Sequence, residues 1–106
     1  MISFEDFKKL DLRIGTIKKA EEVKDSNKLI KLKVDTGSDV RQVVAGIKKV
    51  YSAEELVDRQ VIILTNLEPK KIFGIESQGM VLAANNNNTI ALLKPDQIVE
   101  NGTEVR

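Results

Sequence analysis

The sequence predicts an all-β chain folded as a five-stranded Greek-key barrel. A short helix stands at its N-terminus, another lies between strands three and four, and further strands are appended at the C-terminus. Three observations lead there. Apolar and polar residues alternate with period two in short runs, the pattern of half-buried strands. Gly, Asn and Asp cluster between those runs, where turns need them. Two helix-start signatures, Ser3 with Asp6 and Ser52 with Glu55, stand before stretches too short for long helices. At 106 residues, with no repeat and no linker, the chain reads as one domain over 1–106.

Taken in order, Ser3 caps a helix of about two turns ending near Lys9-Leu10, with Ile2 and Phe7 placed as a hydrophobic staple and Phe4 and Phe7 as packing residues. Asp11 to Val23 is strand-like, with Gly15 a candidate bulge or bend. Asp25-Ser26-Asn27 is a turn, and Lys28–Asp35 alternates strictly: Ile30, Leu32 and Val34 face one way, Leu29, Lys31 and Lys33 the other. Thr36–Asp39 turns the chain into Val40–Ala45, where Arg41 would join the lysine face. Tyr51 and Leu56 staple the second helix, which Ser52 and Glu55 cap and which ends by Asp58. Arg59–Thr65 is strand four, Met80–Ala84 and Thr89–Leu93 pair across Asn85–Asn88, and Ile98–Val105 is a weak last strand interrupted at Asn101-Gly102. The Greek-key barrel that binds oligonucleotides and oligosaccharides carries its helix in this position.

Composition narrows the function classes. Cysteine and histidine are both absent, which removes disulfides, thiolate metal sites, the usual zinc ligand and the usual general base. Glu21-Glu22 and Glu54-Glu55 are adjacent in sequence and make no facing acid/base pair, and no Gly-rich phosphate loop follows a strand. An enzyme, a cofactor site and a membrane span are therefore not expected, and a cytoplasmic location is the default. The net charge is +1, but residues 8–49 carry +6 and residues 50–106 carry −3. Such asymmetry suggests a charged face; lysines that keep strand edges in solution are the other reading.

The stretch Asn66–Met80 leaves an apolar strand and passes Pro69, Lys70-Lys71, Gly74 and Gly79 before another apolar run. Two glycines around Ser77-Gln78 beside paired lysines suit a contact surface; a plain connection with solvated lysines fits equally.

Three stretches together carry a resemblance: Phe4-x-x-Phe7-x-x-Leu10-Asp11-Leu12-Arg13-Ile14-Gly15; Lys28-Leu29 through Val34-Asp35-x-Gly37 with Arg41-Gln42-Val43-Val44-Ala45-Gly46-Ile47; and Asn66-Leu67-x-Pro69 with Ser77-x-Gly79-Met80. From about Phe4 to Arg106 the chain resembles the tRNA-binding domain found at the C-terminus of methionyl-tRNA synthetases, as free-standing homodimeric tRNA-binding proteins, and in the endothelial monocyte-activating polypeptide group. The resemblance implies an OB-fold (oligonucleotide/oligosaccharide-binding) with appended C-terminal elements, a homodimer, and binding of the tRNA body with little regard for sequence in aid of a synthetase, with the methionyl-tRNA synthetase catalytic chain as a candidate partner. It further implies contacts from Lys28, Lys31, Lys33, Arg41, Asn66, Lys70, Lys71, Ser77, Gln78 and Met80. The chain departs from the family pattern at Ser26-Asn27, Ala45 and Ala53. Beginning with Met1 at the domain's own start, it resembles the free-standing or separate-subunit form.

The residues fit phosphate recognition, which needs several cations on one face. The aromatics are only Phe4, Phe7, Phe73 and Tyr51, so stacking platforms for splayed-out bases are scarce and reading of folded RNA shape is expected instead. A peptide-binding or chaperone-like barrel, with Leu29, Ile75 and Met80 in an apolar groove, is the alternative.

Overall fold

The computed structural model describes residues 1–106. In chain order it contains helix α1 (Phe4–Phe7), strands β1 (Leu12–Glu22), β2 (Ile30–Asp35) and β3 (Val40–Ala45), helix α2 (Ala53–Leu56), then strands β4 (Gln60–Leu64), β5 (Lys70–Ile72), β6 (Ile75–Ser77), β7 (Met80–Val81), β8 (Ala83–Asn86), β9 (Thr89–Leu92) and β10 (Glu104–Val105). The main sheet runs β3-β2-β1-β4-β7, all antiparallel, and β10 pairs with the start of β1.

β1 organises the barrel because it serves two neighbours. Leu12 to Thr16 pair with β4, and Thr16 to Glu22 pair with β2. The pairing with β2 slips between Ile17, opposite Val34, and Lys19, opposite Lys33, so Lys18 is the additional residue of a bulge. A bulge bends and twists its strand, which a barrel requires. The expected bulge at Gly15 is therefore corrected by three residues. Gly15 has a different role: a Cβ there would lie 2.6 Å from Val34 Cγ1 and 2.9 Å from the Asp35 carbonyl oxygen, so only glycine permits this approach of β1 to β2.

The gap between β3 and β7 is bridged by Ser77–Gly79. Gln78 N–H donates to the Gln42 carbonyl at 2.7 Å, and Val44 N–H donates to Ser77 Oγ at 3.0 Å. With that bridge the five strands form a nearly closed barrel. Its interior holds Ile17, Ile30, Leu32, Val34, Val43, Ile47, Val61, Ile63 and Val81, with Leu56 of α2 inserted among them. Each fully buried side chain of this size contributes about 1.5–3 kcal/mol by removal from water. A smaller cluster lies outside the barrel wall, where Val23, Leu29 and Val44 pack under Ile72 and Ile75 of the β5–β6 hairpin.

Strands β1 to β4 and both capping boxes match the sequence expectations. The stretch expected to connect strands over 66–80 instead contains the β5–β6 hairpin, and the expected Met80–Ala84 strand splits into β7, which pairs with β4, and β8, which runs on through Asn85 and Asn86 to pair with β9. Four further local expectations are also corrected. α1 is one turn, and Leu10 is held beyond it by a turn bond to the Phe7 carbonyl. Phe4 is 70 % exposed and Ile2 72 % exposed, and neither joins a core cluster. The last strand shrinks to Glu104–Val105, since Gly102 at φ +90 turns the chain and Val99 is held by the Gln60 side chain instead of a strand ladder. Leu29, expected beside the lysines, is buried in the outer cluster under the hairpin.

Candidate nucleic-acid interface

Strict alternation buries Ile30, Leu32 and Val34 and turns Lys31 and Lys33 to the outer face of β2. The bulge at Lys18 then matters chemically. Plain alternation from buried Ile17 would send Lys19 inward; the extra residue reverses the phase and sets Lys19 directly opposite Lys33, with Glu21 opposite Lys31. On the β3 side, Lys33 faces Gln42 and Lys31 faces Val44. Cations directly opposite each other repel. Lys33 Nζ turns to Gln42 Oε1 at 2.8 Å, whereas Lys19 and Lys31 share one carboxylate, with Nζ atoms 2.9 Å and 3.7 Å from the Glu21 oxygens. The Lys19 hydrogen bond foremost, and the charges of Lys19 and Lys31 behind it, hold the Glu21 carboxyl below the usual carboxylate range. Three lysines and one acid leave this face with excess positive charge.

More cations border it. Lys28 is exposed on the β1–β2 turn, where Ser26 Oγ accepts the backbone N–H groups of Lys28 and Leu29. Lys70 and Lys71 are exposed on β5, opposite Ser77 and Glu76 of β6. None of Lys28, Lys70 and Lys71 forms an ion pair. The hairpin is seated through Ile72 and Ile75 on Val23, Leu29 and Val44, so it stands beside the β1–β2 turn, against the same outer wall that carries Lys31. Its two-residue connection is Phe73-Gly74, with φ of 55° and 80°, and Phe73 is 59 % exposed.

The remaining expected site residues are engaged inside the molecule. Arg41 does not join the lysine face: it pairs with Val34, on the opposite face of the strand, and its Nη1 donates to the carbonyls of Thr65 and Gln78 while Nε donates to Asp39. Asn66 accepts from Asp11 N–H at 2.9 Å and donates to the Lys9 carbonyl at 2.7 Å, clasping the N-terminal segment. Ser77 is buried, accepting from Val44 N–H and donating to the Gly79 carbonyl. Gln78 accepts from Gln42 N–H. Met80 is 45 % exposed and lines, with Leu67 and Leu93, an apolar groove of about 610 Å³ between the end of β3 and β7–β9. The structure thus gathers Lys28, Lys31, Lys33, Lys70 and Lys71 around the hairpin and separates them from the others by role. Lys19 and Phe73 escaped the sequence reading. Lys19 is visible only once the bulge is known, whereas Phe73 left a trace as a Phe-Gly pair between two isoleucines.

No group of three or more acidic residues, His or Cys is placed to hold a metal. No helix is long and apolar enough to cross a membrane.

The family model described as "Putative tRNA binding domain" matches residues 12–104. The chain belongs to that family. Among curated relatives, a methionine–tRNA ligase of Methanothrix thermoacetophila is 56 % identical over 106 residues, covering 100 % of this chain and 16 % of the ligase. The ligase of Pyrococcus furiosus is 51 % identical over 105 residues, 99 % of this chain and 14 % of that protein. The chain therefore spans only about a sixth of the length of the curated relatives it matches. Among solved structures, the MetRS-related protein from Pyrococcus horikoshii superposes with a TM-score of 0.94 at 37 % identity, covering 100 % of this chain and 98 % of that one. The chaperone CsaA from Bacillus anthracis gives 0.91 at 37 % identity, with 100 % and 99 % covered. The lysines around the hairpin are candidates for meeting phosphate because they border one outer wall, with Lys28, Lys70 and Lys71 free of ion pairs and Lys19 and Lys33 set against one another.

Proposed function

We propose that this chain is a non-catalytic binder of tRNA that assists an aminoacyl-tRNA synthetase of the methionyl type, in the cytoplasm, and acts as a homodimer. The observation that carries the reading is the opposed pair Lys19 and Lys33 with Lys31 beside them, bordered by the unpaired Lys28, Lys70 and Lys71. A sheet that sets lysines against each other accepts repulsion which an arriving phosphate relieves. Counterion release from the RNA then supplies binding free energy without base-specific contacts. A chain of net charge +1 attracts RNA weakly as a whole, and two copies with adjoining basic faces attract it better. The exposed Ile2, Phe4 and Ile98 are apolar surface for a second copy to cover.

The test is charge reversal on the β2 face. Lys31→Glu with Lys33→Glu is expected to weaken binding of bulk tRNA at least tenfold at low salt while leaving the thermal midpoint within a few degrees, with wild-type complexes showing two protomers by mass in solution. Binding unchanged by the double substitution overturns the reading.

A peptide-binding, chaperone-like role is the second reading, favoured by the apolar groove at Leu67, Met80 and Leu93 and by the resemblance to proteins described as CsaA chaperones. Apolar peptide that binds without displacing tRNA, and is lost on Met80→Glu, supports it as an additional activity.

A further inference from the structure

We infer that Phe73 is a base-stacking residue, whose ring takes an unpaired nucleobase of the RNA that the surrounding lysines hold. The inference rests on the RNA-binding reading above and adds a ligand feature to it: a loop or single-stranded nucleotide next to the bound phosphates.

Three observations converge on this ring. Phe73 has φ of 55°, the left-handed region that bulky side chains adopt at a cost, in a two-residue turn whose positive φ values at both positions favour Asn-Gly. The residue is 59 % exposed, so burial does not offset that cost. Neither the turn nor the core asks for an aromatic here, and strain of this kind persists where function holds it.

The mounting is firm. Ile72 and Ile75 pack on Val23, Leu29 and Val44 beneath the tip. Gln42 Nε2 donates to the Glu76 carbonyl at 2.7 Å, and Ser77 and Gln78 bond to β3 behind it. An aromatic on such a support loses little freedom when a base lands on it.

The other aromatics are occupied or elsewhere. Tyr51 packs against the core, accepts from Leu92 N–H, and lies under Arg59 at 5.5 Å; Phe4 lies under Lys8 at 5.6 Å on α1; Phe7 is half-buried. Phe73 alone stands among cations without internal partners, with Lys70 and Lys71 on its own hairpin and Lys28 on the adjoining turn. A base inside a duplex has both faces stacked, whereas an unpaired base offers one to an aromatic ring.

The test uses the full chain with Phe73→Ala, Phe73→Asn and Phe73→Trp, against bulk tRNA and a blunt RNA duplex without unpaired nucleotides. The chain has no tryptophan, so Phe73→Trp introduces a single indole, excited selectively over Tyr51 at long wavelength. We expect Phe73→Trp to bind tRNA within twofold of wild type with its emission quenched on binding. Phe73→Ala and Phe73→Asn should weaken tRNA binding between about fivefold and a hundredfold, the range for losing one stacked base. Duplex binding and the salt dependence should stay unchanged, and Phe73→Asn, which suits the turn, should melt no lower than wild type. Wild-type affinity for tRNA in Phe73→Ala, an equal loss on the duplex, or unquenched indole at saturation overturns the inference and leaves phosphate binding intact. A changed solution mass for Phe73→Ala in the absence of RNA assigns the ring to a protein contact and also overturns it. Failure of the wild type to bind tRNA removes the reading beneath.

Discussion

Ser77 shows how a residue that looks like a contact is held by the fold. Its hydroxyl accepts from Val44 N–H at 3.0 Å and donates to the Gly79 carbonyl at 3.1 Å in a site 5 % exposed. Ser77→Ala leaves the Val44 N–H buried without a partner, which costs about 1–3 kcal/mol. For a domain of this size each kcal/mol lowers the thermal midpoint by about 4–8 °C. The variant is therefore expected to melt several degrees lower in a thermal scan and to bind tRNA with wild-type affinity below that melt. A sequence reader sees a polar residue between glycines and cannot tell whether its hydroxyl points to backbone or to ligand. That direction follows from how Ser77 sits against β3, and the three residues of β6 are too few to display a period. Asn66 and Gln78 are ambiguous in sequence for the same reason, and the face that Arg41 takes depends on the register that sets it opposite Val34, which adjacent Val43 and Val44 do not reveal.

Among elements, β2 was the most legible, since six residues alternating without exception announce both the dry face and the cationic one. β1 was legible as a strand but not as a bulged one: nothing in Lys18-Lys19 distinguishes the extra residue from its neighbour, and one such residue decides which lysine faces Lys33. The segments that join elements carry their own pH dependence. Asp11, at the entrance to β1, accepts from Thr65 Oγ1 at 2.6 Å after β4 and from Arg13 Nε at 2.7 Å. The Thr65 hydrogen bond foremost, with Arg13 behind it, holds its carboxyl below the usual range. Asp39, before β3, is held low by Thr36 first and then Arg41. Carboxylates depressed in the folded state contribute stability that is present above their unfolded value near 3.9 and lost as pH falls through the folded value. The urea midpoint is expected to be flat from pH 7 to about pH 5 and to fall below about pH 4. Asp11→Asn should lower the plateau and reduce part of that fall; an acid limb identical to wild type would contradict the assignment.

For the molecule as a whole, the barrel follows from a small set of facts that are local in sequence: alternating strands, two capped helical turns, and a long β1 shared between two neighbours. What was not local is the seal between β3 and β7, made by a stretch that reads as a loop. That seal brings Lys70, Lys71 and Phe73 to the wall bearing Lys31. The cationic face arises from the β1–β2 register, and the closure adds to it Lys70 and Lys71 from the half of the chain that carries −3. The central claim is that Lys19, Lys28, Lys31, Lys33, Lys70 and Lys71 meet RNA phosphates, and the salt dependence of tRNA affinity tests it most directly. With about 0.7–0.9 counterions released per phosphate neutralised, six contacts predict a slope of log affinity against log salt between about −4 and −5 per protomer. A slope near zero, with tRNA still bound, would contradict the account.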